Sequence, residues 1–359
     1  MKSGKLRVGI IGVGGIAKGV HIPGWRDIPA VEIVAVADVD KKRAQAVADE
    51  FSIPHAFTDY KKLLQLKEID VVDICTPNMF HTSIVLAALA AGKHVLCEKP
   101  LAVTPKEIEQ MMRAEKKARR LLMVGQNNRY RGISIALKRY IEAGNLGKVY
   151  YTRAWAIRRN WLPVAPGFIS KKLSGGGPCM DIGVHCLDLA MWLMGFPEPV
   201  SVTGASMPTP AHPKLLPAAS RACHRKPYHG QHLHSRLYDV EDFACGLVRF
   251  KDGSMLSLET SWLGHTPESE DMSCMLLGTK AGVNWPSGKV HTAANGVLVD
   301  SVLQPVPIRP QTHTTEIHEF YDAIVNKKPS PIPAAQSLKV IKILDGIYRS
   351  QKTGKEVRL

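Results

Sequence analysis

The first 125 residues alternate between short apolar runs and segments with helical periodicity, and this alternation limits the chain to a small set of folds. Strands are predicted over residues 7–11, 32–37, 71–75, 94–96 and 121–124. Helices are predicted between them, over residues 41–51, 81–91 and 105–118. Repeated strand–helix–strand units build a parallel sheet, so we predict an N-terminal doubly wound α/β domain of the Rossmann type.

The pattern changes after Gln126, where strand-like runs begin to follow one another directly. Helices are predicted over 133–143, 181–194, 315–326 and 335–350, and strands over 149–157, 240–250, 254–262, 272–277 and 297–302. Asp252-Gly253 is a strong hairpin signal. We predict an α/β protein with two domains: a Rossmann domain over 1–126, and an α+β domain over 127–359 with a large, mainly antiparallel sheet. The closing helices within 315–350 can pack back on the first domain.

Composition places the chain among ordinary globular proteins, with 45% hydrophobic and 22% charged residues over 359 positions. The seven cysteines contain no C-x-x-C pair, which is typical of a reducing compartment and predicts no structural zinc site. No apolar stretch approaches membrane-spanning length, and the first strand begins within a few residues of Met1. We therefore expect a cytoplasmic protein that does not bind a membrane.

The net charge of +15 is concentrated in part in residues 208–236, which hold five Lys/Arg and no Asp/Glu. No helix-turn-helix, zinc-finger or RNP pattern accompanies this segment, so nucleic-acid binding is not predicted. His229, His232 and His234 have a spacing that a metal can use. A basic loop near a subunit interface or the substrate is the alternative, and we predict no metal.

A glycine-rich turn follows the first strand: Gly12-Val13-Gly14-Gly15-Ile16-Ala17. It fits G-x-G-x-x-A, in which glycines let backbone N–H groups approach a pyrophosphate at a helix N-terminus. Asp38 ends the second strand, where a carboxylate can accept hydrogen bonds from the adenosine ribose hydroxyls and repel a 2′-phosphate. The motif favours NAD over NADP, and the nearby cations Lys41, Lys42 and Arg43 temper that preference. A turn with a surface aspartate is the alternative, and residues 41–43 read as a solvated helix face.

Polar groups also follow the next two strands, at the edge where ligands of such sheets bind. Thr76 and Asn78 offer donors and acceptors, and His81 either contacts a ribose or caps a helix. Glu98 and Lys99 follow the run 94–96. They can be part of a solvated loop, because Thr104, Pro105 and Glu107 form a capping box that begins the next helix: T-P-x-E.

A triple-glycine loop at 175–177 precedes Asp181 and His185, which are four residues apart and would share one face of a helix. The acid can orient the imidazole ring. Asp188, further along the apolar part of this helix, is interpreted as a buried orienting or capping group.

Taken together, the chain resembles the glucose-fructose oxidoreductase, inositol dehydrogenase and rhizopine-catabolism (Gfo/Idh/MocA) family over essentially its whole length. The motifs that carry the resemblance are the glycine turn, Asp38, Glu98-Lys99-Pro100, the segment 175–185 and the tail 353–357. The resemblance implies that Lys99 is the proton donor and acceptor beside the nicotinamide, with Asp181 and His185 completing the site. Glu98 would orient Lys99 or contact the nicotinamide ribose.

The implied activity is NAD(H)-dependent hydride transfer to or from a secondary hydroxyl of a sugar, polyol or glycoside. A lysine partly desolvated beside a positive ring releases and regains a proton near neutral pH more readily than one in water. Candidate substrate-binding residues are Asn127, Arg158 and Trp161, together with Asp181 and His185. The loop 238–242 is similar in position to substrate loops of glycoside-oxidising members.

Two other functions stay open from the sequence. One is an NAD-retaining glycosidase-like enzyme that oxidises the sugar transiently, eliminates the aglycone and reduces the ring again. The other is a cofactor-binding regulator without catalysis, against which the presence of Lys99, Asp181 and His185 argues. A homodimer or homotetramer that assembles through the C-terminal sheet is implied by the resemblance alone.

Overall fold

The computed structural model describes residues 4–159, 161–163, 165–207, 238–309 and 311–359. Two compact units are present: the first runs to Tyr130 and takes in Ile308–Leu338, and the second comprises Arg131–Pro307 and Lys339–Leu359. The basic, histidine-rich segment 208–236 lies outside the described residues.

The first unit is built on a six-stranded sheet in the order β3-β2-β1-β4-β5-β6, all pairs parallel. This is the order of a Rossmann fold. Its strands are β1 (Leu6–Ile11), β2 (Val31–Ala37), β3 (His55–Phe57), β4 (Val71–Ile74), β5 (His94–Cys97) and β6 (Leu122–Val124). Its helices are α1 (Ile22–Arg26), α2 (Lys41–Glu50), α3 (Tyr60–Leu64), α4 (His81–Ala90), α5 (Pro105–Ala118) and α10 (Thr312–Val325).

The predicted strands of this unit are all present because they are apolar runs buried on both faces, as parallel strands require. All four residues of β4 are buried, including Asp73. The expected capping box is confirmed: the Thr104 hydroxyl accepts from the Glu107 amide, and the Glu107 carboxylate accepts from the Thr104 amide. The prediction missed α1, β3 and α3, which are too short to show a clear period.

The second unit contains a nine-stranded sheet in the order β14-β13-β12-β11-β7-β10-β9-β8-β15. Its strands are β7 (Val149–Arg158), β8 (Pro199–Met207), β9 (Phe243–Phe250), β10 (Met255–Ser261), β11 (Glu270–Gly278), β12 (Ala281–Trp285), β13 (Lys289–Ala294), β14 (Val297–Val302) and β15 (Val357–Arg358). The sheet is mainly antiparallel as predicted, with one parallel pair between β7 and β10.

Helices of this unit are α6 (Gly132–Glu142), α7 (Pro166–Ile169), α8 (Lys171–Ser174), α9 (Val184–Leu193) and α11 (Ala334–Thr353). Only the part of α11 from Lys339 onward belongs to this unit. The expected continuous helix over 181–194 is wrong at its start. Residues Cys179–Gly183 form a π-helix, and α9 begins only at Val184. Gly183 lies against β10, where a Cβ atom would be 2.9 Å from the Thr260 Cγ2 atom. Asp181 therefore lies on a π turn, and the four-residue spacing to His185 does not place the two on one α-helical face.

In the described part of the chain, no helix combines the length and apolar character that crossing a bilayer requires.

Candidate active site

The glycine turn lies at the carboxyl end of β1, in contact with the loop that follows β4. Gly12 has φ +85°, and a Cβ atom there would be 2.8 Å from the backbone carbonyl of Cys75 and the nitrogen of Thr76. Only glycine combines this conformation with this approach. Around Gly15, by contrast, a Cβ atom would meet nothing within 4 Å, so the second half of the turn is open. Gly14 is half-buried and Ile16 is 40% exposed.

Asp38 joins the end of β2 to the glycine turn. Its carboxylate accepts from the Val13 amide at 3.0 Å and from the Asp40 amide at 2.9 Å. The Arg43 guanidinium donates to both oxygens, at 3.0 and 2.8 Å. Burial opposes the ionised form, but the hydrogen bonds from Arg43, Asp40 and Val13 outweigh it and hold the pKa of Asp38 below its usual value. Interpreting Arg43 as part of a solvated face was wrong; Lys41 and Lys42 are exposed.

The loop after β4 is tied to the loop after β5 by a buried imidazole. His81 Nδ1 lies 2.8 Å from the Pro100 carbonyl oxygen, and Nε2 lies 2.8 Å from the Thr76 carbonyl oxygen. Burial lowers the pKa of His81. No side chain caps the start of α4, so the capping interpretation of His81 is wrong, whereas the ribose contact stays a prediction. Asn78 lies in the 3₁₀ turn before α4.

Glu98 follows β5 and belongs to a buried polar network that the sequence did not reveal. Its Oε1 atom lies 2.8 Å from His21 Nε2, and its Oε2 atom accepts from the Lys99 amide at 3.0 Å. The His21 Nδ1 atom lies 2.8 Å from Asp73 Oδ2, which also accepts from Trp25 Nε1 at 2.7 Å. Burial raises the pKa of Glu98, but the hydrogen bond and charge of His21 reverse this and lower it to about 2. The result is an ionised carboxylate directly before Lys99.

Lys99 is half-buried and joins Pro100 through a cis peptide bond. Burial lowers the pKa of His313, which lies in the first turn of α10, and the charges of His21 and Lys99 add to this effect. The adjacent Glu316 accepts from the Gln126 amide, and burial raises the pKa of this acid well above its ordinary value. Asn127 donates to the Thr312 hydroxyl at 3.1 Å. The first turn of α10 thus lies beside the loops that follow β5 and β6.

His21, Asp73 and Cys75 each offer one possible metal-ligand atom, and these atoms lie within 4.8 Å of one another. Asp73 Oδ2 is already used by His21 and Trp25, and burial raises the pKa of the Cys75 thiol to about 12. A thiol binds metals as the thiolate. We therefore interpret this group as a hydrogen-bonded network. It does not test the prediction that the protein binds no metal.

In the second unit, Asp181 lies among aromatic and charged side chains. Trp262, which is buried, donates from Nε1 to Asp181 Oδ2 at 3.2 Å. The Arg158 Nη1 atom lies 3.7 Å from the same oxygen, and Arg158 Nε donates to Glu270 at 2.6 Å. The guanidinium carbon also lies 4.2 Å from the centre of the Trp161 ring. Three predicted residues, Asp181, Arg158 and Trp161, thus come together, and the sequence missed Trp262 and Glu270.

The triple-glycine loop is held by Glu241. Both oxygens of this carboxylate accept from the Gly177 amide at 2.9 Å, and Oε1 also accepts from the Tyr348 hydroxyl at 2.8 Å. Burial raises the pKa of Glu241 despite these donors. Within the loop 238–242, Glu241 supports the segment that carries Asp181, and the similarity of this loop to substrate loops stays a prediction. His185 is half-buried at the start of α9, and Asp188 is buried in it.

The fold and these residues define a dinucleotide-binding unit with an acid–lysine pair at the ligand-binding edge of its sheet, joined to a unit with a polar and aromatic cluster. Residues 6–126 match the NAD-binding Rossmann fold of an oxidoreductase family, and residues 138–359 match the C-terminal alpha/beta domain of the same family. The chain belongs to the Gfo/Idh/MocA oxidoreductase family.

The relatives of this chain include enzymes named for sugars. It is 33% identical to the D-glucoside 3-dehydrogenase of Escherichia coli (strain K12), covering 100% of this chain and 99% of that protein. It is 30% identical to the levoglucosan dehydrogenase of Pseudarthrobacter phenanthrenivorans, over 72% of this chain and 68% of that one. The solved complex of a levoglucosan dehydrogenase with NADH and levoglucosan is similar, with a TM-score of 0.82, 25% identity and 99% of each chain covered.

The residues present fit a nicotinamide dinucleotide. The close approach at Gly12, the open space around Gly15 and the ionised Asp38 are the features that a pyrophosphate and a ribose require. The Thr76 hydroxyl oxygen is buried and has no hydrogen-bond partner among the described residues, so it is able to serve a ligand.

Proposed function

We propose that the protein oxidises a secondary hydroxyl of a glycoside, or reduces the corresponding ketone, with NAD as its cofactor and Lys99 as its proton carrier. The observation that carries the proposal is the ionised Glu98, held by His21 at the sheet edge directly before Lys99. This edge also bears the glycine turn, because the β1, β4 and β5 strands are neighbours. Oxidation of a hydroxyl by hydride transfer needs a base that takes up the hydroxyl proton. Ligands of such sheets bind at this edge, so the base has to lie there.

Each residue has a distinct task in this proposal. The glycine turn and Asp38 bind the dinucleotide, which supplies a hydride acceptor when it is bound. Lys99, as a neutral amine, takes the proton from the substrate hydroxyl while the carbon gives up hydride, so the C–OH group becomes a ketone. His185 and Asp181 orient that hydroxyl, and reduction reverses each step.

Several features support a glycoside as the substrate class. Trp161 offers an aromatic face suited to the C–H face of a sugar, and Asp181 offers an acceptor for its hydroxyls. Arg158 is balanced by two carboxylates, Asp181 and Glu270, which favours a neutral sugar over an acidic one. The name of the Escherichia coli relative directs attention to the 3-hydroxyl of a D-glucoside.

The test is an activity screen of the purified protein with NAD and a panel of methyl and aryl D-glucosides, levoglucosan and myo-inositol. We expect NADH formation, followed at 340 nm, with the ketone identified by mass spectrometry. Release of free aglycone without net NADH would instead support the glycosidase-like alternative. Binding of NADH with no conversion of any sugar would contradict the proposal and favour a non-catalytic protein.

A preference for NAD over NADP follows from Asp38. Replacing Asp38 with alanine removes an acceptor for the ribose hydroxyls and a charge that repels a 2′-phosphate. We expect the Kd for NADH to rise about tenfold or more, corresponding to the loss of a charge-assisted hydrogen bond, and the Kd for NADPH to fall. Fluorescence titration measures both constants.

Asp40→Ala is the matched control for Asp38→Ala. Asp40 caps α2 through the Lys42 and Arg43 amides, so its loss weakens a helix and leaves the Asp38 carboxylate in place. Equal effects of the two substitutions on NADH and NADPH would contradict the assignment of Asp38.

Assembly as a homodimer or homotetramer through the sheet of the second unit is part of the proposal, as is a cytoplasmic location. The exposed apolar side chains of β14 support the first: Val297, Leu298, Val299 and Val302 are 63%, 86%, 40% and 56% exposed.

A further inference from the structure

The most unusual group in the first unit is the imidazole of His21, which is fully buried between two carboxylates. Its Nδ1 atom lies 2.8 Å from Asp73 Oδ2, and its Nε2 atom lies 2.8 Å from Glu98 Oε1. No sequence motif pointed to His21, because its partners are 52 and 77 residues away.

The two carboxylate partners of His21 favour a ring that carries both protons. An ionised carboxylate only accepts hydrogen bonds, and a neutral imidazole has a single N–H. Asp73 Oδ2 receives a second donor, Trp25 Nε1, and the other oxygen of Glu98 receives the Lys99 amide. Both acids thus act as acceptors, and a ring that donates to both is an imidazolium.

His21 also lies at a particular point in the chain. It ends the π-helix Ala17–His21, which begins at the last residue of the glycine turn. π turns are rare and are often found at functional sites. One short segment therefore connects the pyrophosphate-binding turn to Glu98, and Glu98 contacts the amide of Lys99.

We propose that His21 is a positioning residue: as a buried imidazolium it keeps Glu98 ionised and fixed, and through Glu98 it holds the backbone of Lys99 in register with the dinucleotide turn. This inference rests on the proposed function for the role of Lys99. The charge state of His21 and its effect on Glu98 do not depend on that function.

The surroundings of His21 favour the charged ring. Burial lowers its pKa, but the charge of Asp73 leads the opposing effects, and the pKa of His21 is raised well above its ordinary value. The titratable groups around His21 are Asp73 in β4, Cys75 directly after β4, Glu98 and Lys99 after β5, and His313 and Glu316 from α10.

The sign of the pH dependence follows. The lowered pKa of Glu98, about 2, keeps it ionised above the acid range, and this lowering depends chiefly on the hydrogen bond from His21. His21→Asn removes the cation and leaves burial, which raises the pKa of an acid. Glu98 then takes up a proton at higher pH than in the wild-type protein.

The experiment compares wild type, His21→Asn, Glu98→Gln and the double variant, with His318→Asn as matched control. His318 also contacts a carboxylate, Asp27, at 2.9 Å, but on the surface. The readouts are ¹⁵N spectra of histidine-labelled protein, thermal unfolding, NADH affinity from pH 5 to 9, and the pH profile of kcat on the glycoside found by the screen.

We expect imidazolium ¹⁵N shifts that persist above pH 7.5 in the wild type and are missing only in the His21 variants. Because the pKa of Glu98 is about 2 in the wild type, its protonation should leave no acid limb between pH 5 and 9. His21→Asn should show an acid limb of NADH affinity and of kcat in that range, and this limb should be absent in Glu98→Gln and in the double variant. His318→Asn should match the wild type.

Two results would overturn the inference. One is a neutral His21 at pH 7. The other is a loss of NADH affinity and kcat in His21→Asn that is uniform across pH and adds to the loss in Glu98→Gln. General destabilisation would produce such a pattern. If no glycoside is oxidised, the ¹⁵N spectra and NADH titrations still decide the state of His21, so failure of the proposed function is recognised separately.

Discussion

Replacing Lys99 with methionine is expected to lower kcat by about 10²- to 10⁴-fold, which is the range that a positioned proton carrier supplies. Methionine keeps an unbranched apolar stem and removes the amine, so packing of the half-buried side chain changes little. The Kd for NADH should stay within a few-fold of the wild-type value, because the glycine turn and Asp38 are untouched. Initial rates of NADH formation and a fluorescence titration measure the two quantities.

Lys106→Met is the matched control, since Lys106 is exposed in α5 and lies outside the proposed site. It should behave as the wild type in both assays. Full turnover by Lys99→Met would show that another group carries the proton.

Replacing Gly177 with alanine is expected to destabilise the second unit and to reduce activity. The added Cβ atom would overlap the Glu241 carbonyl oxygen and lie 3.1 Å from its carboxyl carbon, so backbone has to move. The Gly177 amide also loses its position against the Glu241 carboxylate. Overpacking costs about 1–3 kcal/mol, and a displaced buried acid adds to this. Chemical denaturation measures the free energy of unfolding, and the KM for the glycoside reports on Asp181, which follows in the chain.

Gly282→Ala serves as the control in the same unit. At this position in β12 a Cβ atom would make ordinary contacts at 3.5 Å with Leu276 and Leu277. We expect it to be neutral or slightly stabilising, because alanine reduces the entropy of the unfolded chain. Equal free energies of unfolding for Gly177→Ala and Gly282→Ala would contradict the role of Glu241 as support for the glycine loop.

The features that the sequence predicted well are those encoded locally. Apolar runs gave β1, β2, β4, β5 and β6 within one or two residues, and T-P-x-E located the start of α5. Side chains at strand ends were predictable as a group, because the carboxyl ends of parallel strands share one edge. The proline-free, alternating patterns of the second unit gave its sheet but not its full strand count.

The remainder depends on contacts between residues far apart in the chain. Trp262 reaches Asp181 across 81 residues, and Asp73 contacts His21 across 52. Arg43 looked like a solvated residue because its position in α2 is outward, yet its length lets it reach Asp38. The π turn at Asp181 was missed because hydrophobic periodicity does not distinguish it from an α-helix over so few residues.

The N-terminal dinucleotide-binding unit is not contiguous in sequence. Its core is closed by α10, where Phe320 packs against Trp25 with ring centres 6.5 Å apart and Ile317 lies against Gly24. A gene fragment that stops near position 130 would therefore encode an unfinished core with a buried tryptophan left uncovered. Recombination between homologous genes can exchange this unit alone only with three crossovers, near positions 130, 308 and 338. The inheritance of cofactor preference is therefore tied to a stretch encoded near the other end of the gene.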